Sequence, residues 1–364
     1  MKLYIIIAII FIMIYLNRGE SNVENFSKAT YKSSCGNYPT LLKKVMDERE
    51  MTQSSNYDYY MPCSYNSCEK DVLAFENKSG KKLFFIDGCD VLASKLELWT
   101  TIKNYFGKDA YKYVPLTYLL EDKQDLKDFP KHFEENKKKN PNQMYILKNY
   151  EQRQEGLKLT KDLNTIMDGI KSGWYLVQDY LYNPYIINKR KINLRYYLLI
   201  VCKNGTITGY IHRNGFIYYT PKYYDPNNMD FERHITTGYI DRQVYAENPL
   251  TLKDFREHLD KQGLRLSEKH DRNINQLFNN IMKALSKSIC KNKKLDKNIR
   301  FQLFGCDIAP DSNLEPKLIE INKGPDLDAK DERDKQVKIK VQQDLFKKIE
   351  EDTTDINNEF TKIY

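Results

Sequence analysis

Apolar positions along this chain follow two rhythms, and the places where one gives way to the other mark its organisation. Short runs of β-branched and aromatic residues predict strands at 81–88, 143–148, 174–181 and 192–201, with a strand pair around Asn214-Gly215 within 207–220. A further pair, 301–309 and 314–322, flanks the turn Pro310-Asp311-Ser312-Asn313. Helical spacing occupies 92–106, 252–259 and 273–290. Near the end Val337, Val341, Leu345 and Ile349 recur every fourth residue, which makes one apolar helix stripe with charges on the other faces. Strands interleaved with helices, without an internal repeat, predict a mixed α/β fold.

Two stretches break the rhythm. Tyr4 to Leu16 carries no charge and follows Lys2. It is shorter than the roughly twenty residues that span a bilayer comfortably, and no small-x-small cleavage site follows. The expectation is a short uncleaved anchor through residues 4–16, holding the protein at a membrane with the remaining chain facing the cytosol. The second stretch, Lys131 to Asn142, is rich in Lys, Glu and Asn and reads as a solvated linker or helix end. The expected division is therefore a hydrophobic segment at 1–20, a linker at 21–40, an N-terminal α/β domain at 41–140 and a two-lobed domain at 141–352.

Composition narrows the class. The chain has 364 residues, 41% hydrophobic, with a formal net charge of +8. That is a globular rather than a disordered composition, and long enough to bury a core without staples. A basic excess favours acidic partners: nucleic acid, anionic lipid or an acidic polypeptide tail. The seven cysteines, at 35, 63, 68, 89, 202, 290 and 306, include no Cys-x-x-Cys pair. Neither a zinc site nor a complete disulfide framework is supported. Cys202 and Cys306 lie in apolar strand-like runs, where a free cysteine acts as a small hydrophobe, and a reducing compartment is expected.

The most informative segment runs from Phe301 to Pro325. Asp307 interrupts an apolar strand, and Glu320 and Asn322 flank Ile321, so the latter two share one strand face. If the two strands pair as a hairpin, Asp307 lies opposite Glu320, and two carboxylates converge with an amide. Such a cluster repels itself unless a cation bridges it, and hard oxygen ligands suit Mg²⁺. The bland alternative is a solvent-facing amphipathic hairpin. The sequence Ile319-Glu-Ile-Asn-Lys-Gly-Pro325 is more specific, because its polar residues sit at a strand end beside a glycine.

This hairpin resembles the tubulin–tyrosine ligase family, in which a Phe/Leu-Gly-x-Asp strand precedes a Leu-Ile-Glu-x-Asn-x-x-Pro strand. The resemblance extends back to Tyr145-Ile-Leu-Lys148. It continues through Trp174-Tyr-Leu-Val-Gln-Asp-Tyr-Leu181, Arg190-Lys-Ile-Asn-Leu-Arg-Tyr-Tyr-Leu198, Tyr210-Ile-His-Arg-Asn-Gly-Phe216 and His234-Ile-Thr-Thr237. Residues 1–140 carry no such signal. The resemblance implies an ATP-grasp fold, with ATP and Mg²⁺ as cofactors. Asp307, Glu320 and Asn322 would hold the metal. Lys148, Gln178, Asp179, Tyr180, Leu181, Lys191, Asn193 and Thr237 would meet the nucleotide. Arg195 and Arg213 would face the transferring phosphoryl group or the acceptor carboxylate, since Arg grips both in a two-pronged way.

The implied reaction is acyl-phosphate ligation, joining a free amino acid to a carboxylate of an acidic protein acceptor such as a tubulin tail, with no nucleic-acid partner. Asn193 stands where the family has Asp, Thr237 where it has Asn, and Asn149 where it has Pro. Residues 151–157, which should cover the phosphates, offer only Gly156. These departures support a second reading, a non-catalytic membrane-anchored binding protein on the same scaffold, which the complete metal trio opposes. A ligase acting on a small molecule or on another protein is a third. Taken singly, Lys148 and Lys191 would pass as surface cations. His234 reads equally as a structural group or as an acid–base, and His132, His212, His258 and His270 sit in no interpretable motif.

Overall fold

The computed structural model describes residues 28–33, 40–61, 68–151, 156–350 and 357–364, with 68–71 described by backbone only. Strands β1 (Thr30–Ser33), β2 (Thr52–Gln53), β3 (Tyr59–Met61) and β4 (Lys82–Leu83) come first. They are followed by β5 (Thr117–Leu119), β6 (Tyr145–Lys148), β7 (Leu157–Thr160) and β8 (Leu176–Asp179). Next come β9 (Ile186–Ile187), the long β10 (Arg190–Lys203), β11 (Thr206–His212) and β12 (Phe216–Tyr219). The last are β13 (Ile299–Pro310), β14 (Pro316–Asn322) and β15 (Phe360–Lys362). The longer helices are α1 (Thr40–Glu48), α2 (Lys95–Phe106), α3 (Lys123–Lys139), α4 (Leu252–Gln262), α5 (Leu266–Leu285) and α6 (Glu332–Glu350).

These elements build a mixed α/β architecture on two sheets. The large sheet runs β15-β11-β10-β13-β4-β3-β1-β2, with β9 and β12 also on β10 and β14 on β13; the small sheet runs β5-β8-β6-β7. Both sheets draw strands from each side of residue 140. β5 joins β6–β8 in the small sheet, and β4 pairs in parallel with β13 in the large one.

β10 is the axis of the large sheet. Its even-numbered face (Leu194, Tyr196, Leu198, Ile200) packs under α4 and α5. There the Tyr196 ring lies 5.8 Å from Phe278, and its hydroxyl meets His270 at 2.8 Å. The odd-numbered face changes character along the strand. Tyr197 and Leu199 are buried in the core, whereas Lys191, Asn193 and Arg195 face a cleft. Burial of both faces makes 196–200 read as a continuous apolar run, and the polar alternation survives where one covering layer stops.

The segment after β10 differs from the expected strand pair. β11 and β12 do not pair with each other; each pairs antiparallel with β10, at Leu198↔Ile211 and Arg195↔Phe216 respectively. They form one return strand broken at 213–215. Gly215 is required there, because a Cβ at that position would lie 2.1 Å from the Arg195 carbonyl oxygen.

Of the two readings of Lys131–Asn142, the helix end holds: through Lys139 it is the second half of α3, whose cap Asp122 accepts from the Gln124 and Asp125 N–H groups. Phe129 and Phe133 give this helix its buried stripe, and Lys137–Lys139 suit its C-terminal dipole. Cys202 is not a free thiol but is disulfide-bonded to Cys290, 88 residues away. That separation left no local signal; Cys89 and Cys306 are free and buried. Membrane anchoring is likewise corrected. The run 4–16 lies outside the described residues, and among the described residues no helix is long and apolar enough to cross a membrane. The 20-residue α5 buries one face and carries charges on the others.

Two outcomes follow for thermal unfolding. Gly215→Ala is expected to destabilise by about 3 kcal/mol or more, because the obstacle is backbone. Gly209→Ala meets only the ends of the Ile363 and Met282 side chains and is expected to cost far less. Opening the Cys202–Cys290 bond is expected to cost about 2–5 kcal/mol, measured as the drop in melting temperature between oxidised and reduced protein.

Candidate active site

Between the two sheets lies a cleft of about 680 Å³, within the range of a cofactor site. The small sheet supplies one wall: Lys148 from the end of β6, and Gln178 and Asp179 from the end of β8, followed by Tyr180 and Leu181. The large sheet supplies the other: Lys191, Asn193 and Arg195 from β10, Asp307 from β13, and Glu320 and Asn322 from β14. Thr237 lines the rim and is bridged to Tyr219 of β12. All the residues singled out from the sequence thus meet in one cleft, except Arg213. Arg213 is exposed at the break between β11 and β12, where its N–H donates to the Glu359 carbonyl at 2.9 Å.

The cations of this cleft are costly. Lys148 and Lys191 are only 6% and 7% exposed. Burial pulls the Lys148 ammonium down to about 8, against the raising effect of Glu320. Burial, with Lys148 nearby, pulls Lys191 down to about 7. Lys191 donates to the His234 carbonyl at 3.0 Å and lies 3.4 Å from the Tyr180 hydroxyl. Both ring nitrogens of His234 are engaged, Nδ1 by the Tyr180 hydroxyl at 2.9 Å and Nε2 by the Asn228 carbonyl. Burial lowers its pKa, so it is a neutral structural group. Two desolvated lysines with no carboxylate bonded to either among the described residues suit a polyanion.

The large sheet also brings acid to the cleft. Asp307 and Glu320 pair across the hairpin, as the sequence pattern predicts. Arg195 grips Asp307 with two donors, Nε to Oδ1 at 2.6 Å and Nη2 to Oδ2 at 3.0 Å. Asn322 Nδ2 donates to Glu320 Oε1 at 3.1 Å. Burial, reinforced by Glu320, raises the Asp307 carboxyl despite Arg195. Burial also acts to raise Glu320, but bonds from Asn322 and Asp307 and the charges of Lys148 and Arg195 outweigh it and hold it low. Two buried carboxylates in contact share a proton unless a cation replaces it. With the Asn322 amide beside them, this donor set fits a hard divalent ion.

Residues that the sequence left unread complete the site. Lys95, the first residue of α2 after its Ser94 cap, reaches the cleft and donates to the carbonyls of Asn149 and Glu151 at 3.2 and 2.8 Å. His132, on the supposed linker, meets both oxygens of Asp179 at 2.9 Å and so holds a cleft carboxylate in place. Tyr218 and Lys330 also line the cleft. A lysine after a helix cap is ordinary in any sequence, and His132 is legible only once α3 is recognised as a helix.

Fold and site together define an α/β protein with a charged cleft between two sheets. The chain belongs to the tubulin-tyrosine ligase family, whose model matches residues 59–359. It is 26% identical over 295 residues to a probable tubulin polyglutamylase of Caenorhabditis elegans, a match covering 75% of this chain and 62% of the relative. A probable beta-tubulin polyglutamylase of Tetrahymena thermophila is 28% identical over 266 residues, 66% of this chain and 21% of its own length. Tubulin glycylase 3B of Drosophila melanogaster is 23% identical over 198 residues, 50% of this chain and 26% of its own. The chain spans less than two thirds of each of these relatives.

The low pKa of Lys191 has a measurable sign. A bound polyphosphate favours the charged ammonium and raises its pKa, so at pH 8 binding should take up protons. Affinity for ATP should weaken as pH rises above about 7, and be level below it. Calorimetry in buffers of different ionisation heat checks this. Lys191→Met is expected to lose the larger part of the proton uptake, leaving that of Lys148, and to weaken binding at least tenfold, while raising the melting temperature by about 1–2 °C because a buried cation is gone.

Proposed function

We propose that the protein is an ATP- and Mg²⁺-dependent carboxylate–amine ligase with an ATP-grasp architecture. The observation that carries this reading is that the buried Lys148 and Lys191 and the Asp307–Glu320–Asn322 set line one cleft. In this reading the adenine lies against Gln178 to Leu181, and Lys148 and Lys191 neutralise the phosphates. Asp307, Glu320 and Asn322 would hold Mg²⁺, which supplies charge neutralisation on the phosphate oxygens when bound. An acceptor carboxylate attacks the γ-phosphorus, and ADP leaves with the bridging oxygen. The amine of the incoming amino acid then attacks the acyl carbon, phosphate departs, the amine proton is released, and an amide remains. Arg195, fixed by Asp307, stabilises charge at the transfer position. Ligation by this route needs no covalent protein nucleophile. Relatives named as tubulin polyglutamylases support glutamate as the amino acid and an acidic tubulin tail as the acceptor, and the basic balance of the chain agrees.

A screen of radiolabelled glutamate, glycine and tyrosine with ATP and tubulin tests the reading, and incorporation of none of them would overturn it. Glu320→Gln is expected to fold normally and lose about a thousandfold or more in ligation, with weaker ATP–Mg²⁺ binding. Asp307→Asn should lose as much and also melt at a lower temperature, because Arg195 loses its charged partner. Asn322→Ala should act more mildly. Glu315→Gln, whose carboxylate accepts from Asn273 on the surface, is expected to be nearly silent. Equal ATP–Mg²⁺ binding by all four variants would refute the metal assignment.

A further inference from the structure

Tyr218 stands directly across from Asn193 in the β10–β12 pairing, so it shares the cleft face with Lys191, Asn193 and Arg195. Its ring is fixed on two sides. The Arg195 guanidinium carbon lies 5.1 Å from the ring centroid. Against the ring also lies Gly238, where a Cβ would come within 3.1 Å of it. Gly238 is in turn anchored, because its carbonyl accepts from Lys330 Nζ at 2.8 Å. The ring therefore holds Arg195 and cannot swing away from it.

The hydroxyl is the unusual part. Neighbouring tyrosines spend theirs inside the protein: Tyr180 on His234, Tyr219 on the Pro249 carbonyl and Tyr245 on the Ile217 carbonyl. The Tyr218 hydroxyl has no hydrogen-bond partner among the described residues, and its residue lines the cleft. Burial pushes its pKa up to about 12, so at neutral pH it keeps a proton to donate.

We propose that Tyr218 contacts substrate, its hydroxyl and the Arg195 guanidinium forming a two-donor seat for the acceptor carboxylate. This rests on the reading of the cleft as a site of phosphoryl transfer to a carboxylate. A carboxylate suits the seat better than a phosphoryl group. Asp307 already offsets the charge of Arg195, and a phenol adds a donor without adding charge. The seat thus adds orientation where the Lys148–Lys191 pair adds charge.

The test uses the full chain loaded with ADP–Mg²⁺, titrated with N-acetylglutamate as the carboxylate and, separately, with inorganic phosphate. Tyr218→Phe keeps the ring and removes the hydroxyl. It is expected to bind ADP–Mg²⁺ within about twofold of the parent, to bind N-acetylglutamate about tenfold or more weakly, and to leave phosphate binding within about threefold. In ligation the loss should fall on kcat/KM for the acceptor and not on KM for ATP. Gly238→Ala, which pushes against the ring with its hydroxyl intact, should weaken N-acetylglutamate binding in the same direction by a smaller factor. Unchanged N-acetylglutamate binding in Tyr218→Phe overturns the proposal, as does a loss confined to phosphate. A parent that binds ADP–Mg²⁺ but not N-acetylglutamate also overturns the seat and leaves the nucleotide reading standing. A parent that binds no ADP–Mg²⁺ sinks both.

Discussion

The two-pronged bond between Arg195 and Asp307 is the constraint on which the cleft depends. It ties the two central strands of the large sheet, β10 and β13, at the point where they are already in register. A guanidinium this buried is tolerable only with such a partner, because an unpaired charge out of water is among the costliest features a core can hold. The bond fixes Asp307, and Asp307 sets where Glu320 can lie across the hairpin. Gly215 makes the arrangement possible from the other side, since any side chain there would strike the Arg195 backbone. The break between β11 and β12 is thus part of how Arg195 is delivered to the cleft.

The cleft bonds Arg195 to Asp307 but leaves its two buried lysines unpaired among the described residues. Neither Lys148 nor Lys191 is bonded to a carboxylate there, and Glu320 is near enough to Lys148 to be felt but not bonded to it. Closing these groups into ion pairs would stabilise the free protein and remove the seat for a ligand. The lowered pKa values of both lysines are the cost of that arrangement. It falls on the part of β10 where the covering layer stops, so solvent and ligand reach the polar residues while the rest of the strand stays in the core.

Periodicity in the sequence located the strands that carry Lys148, Gln178, Arg195, Asp307 and Glu320, because each is a short apolar run interrupted by a polar residue at its end or on one face. The convergence of Asp307 and Glu320 was legible as two polar interruptions of paired apolar strands. The register running from the turn would nevertheless set Asp307 opposite Ile319, and it is an irregularity between Asp307 and Ile308 that brings Glu320 there. What stayed hidden was set by distance or by cover. Cys202 and Cys290 meet only after α4 and α5 have folded back. α3 was masked by its lysines, which sit on the outer faces while Phe129 and Phe133 repeat at helical spacing, and His132 was lost with it. Arg213 follows the end of β11, where strand pairing breaks before β12, and it is exposed there. Lys95 comes from a region with no motif, joined to the site only because β4 pairs with β13 and carries α2 to the mouth of the cleft.

Asn193 shows how one departure from the family pattern changes the electrostatics of its neighbours. It lies two residues from Lys191 on the same strand face, about 7 Å away by strand geometry. An aspartate there would hold the Lys191 ammonium charged in the empty cleft. The amide does not, and Lys191 is left with a carbonyl, a hydroxyl and a lowered pKa. The Asn193 Oδ1 atom is itself buried without a partner, a cost that a ligand hydroxyl could offset. The neutral residue therefore shifts the burden of charging Lys191 from the protein to whatever anion enters. Binding and protonation become one event, so the cleft is fully cationic only when it is occupied.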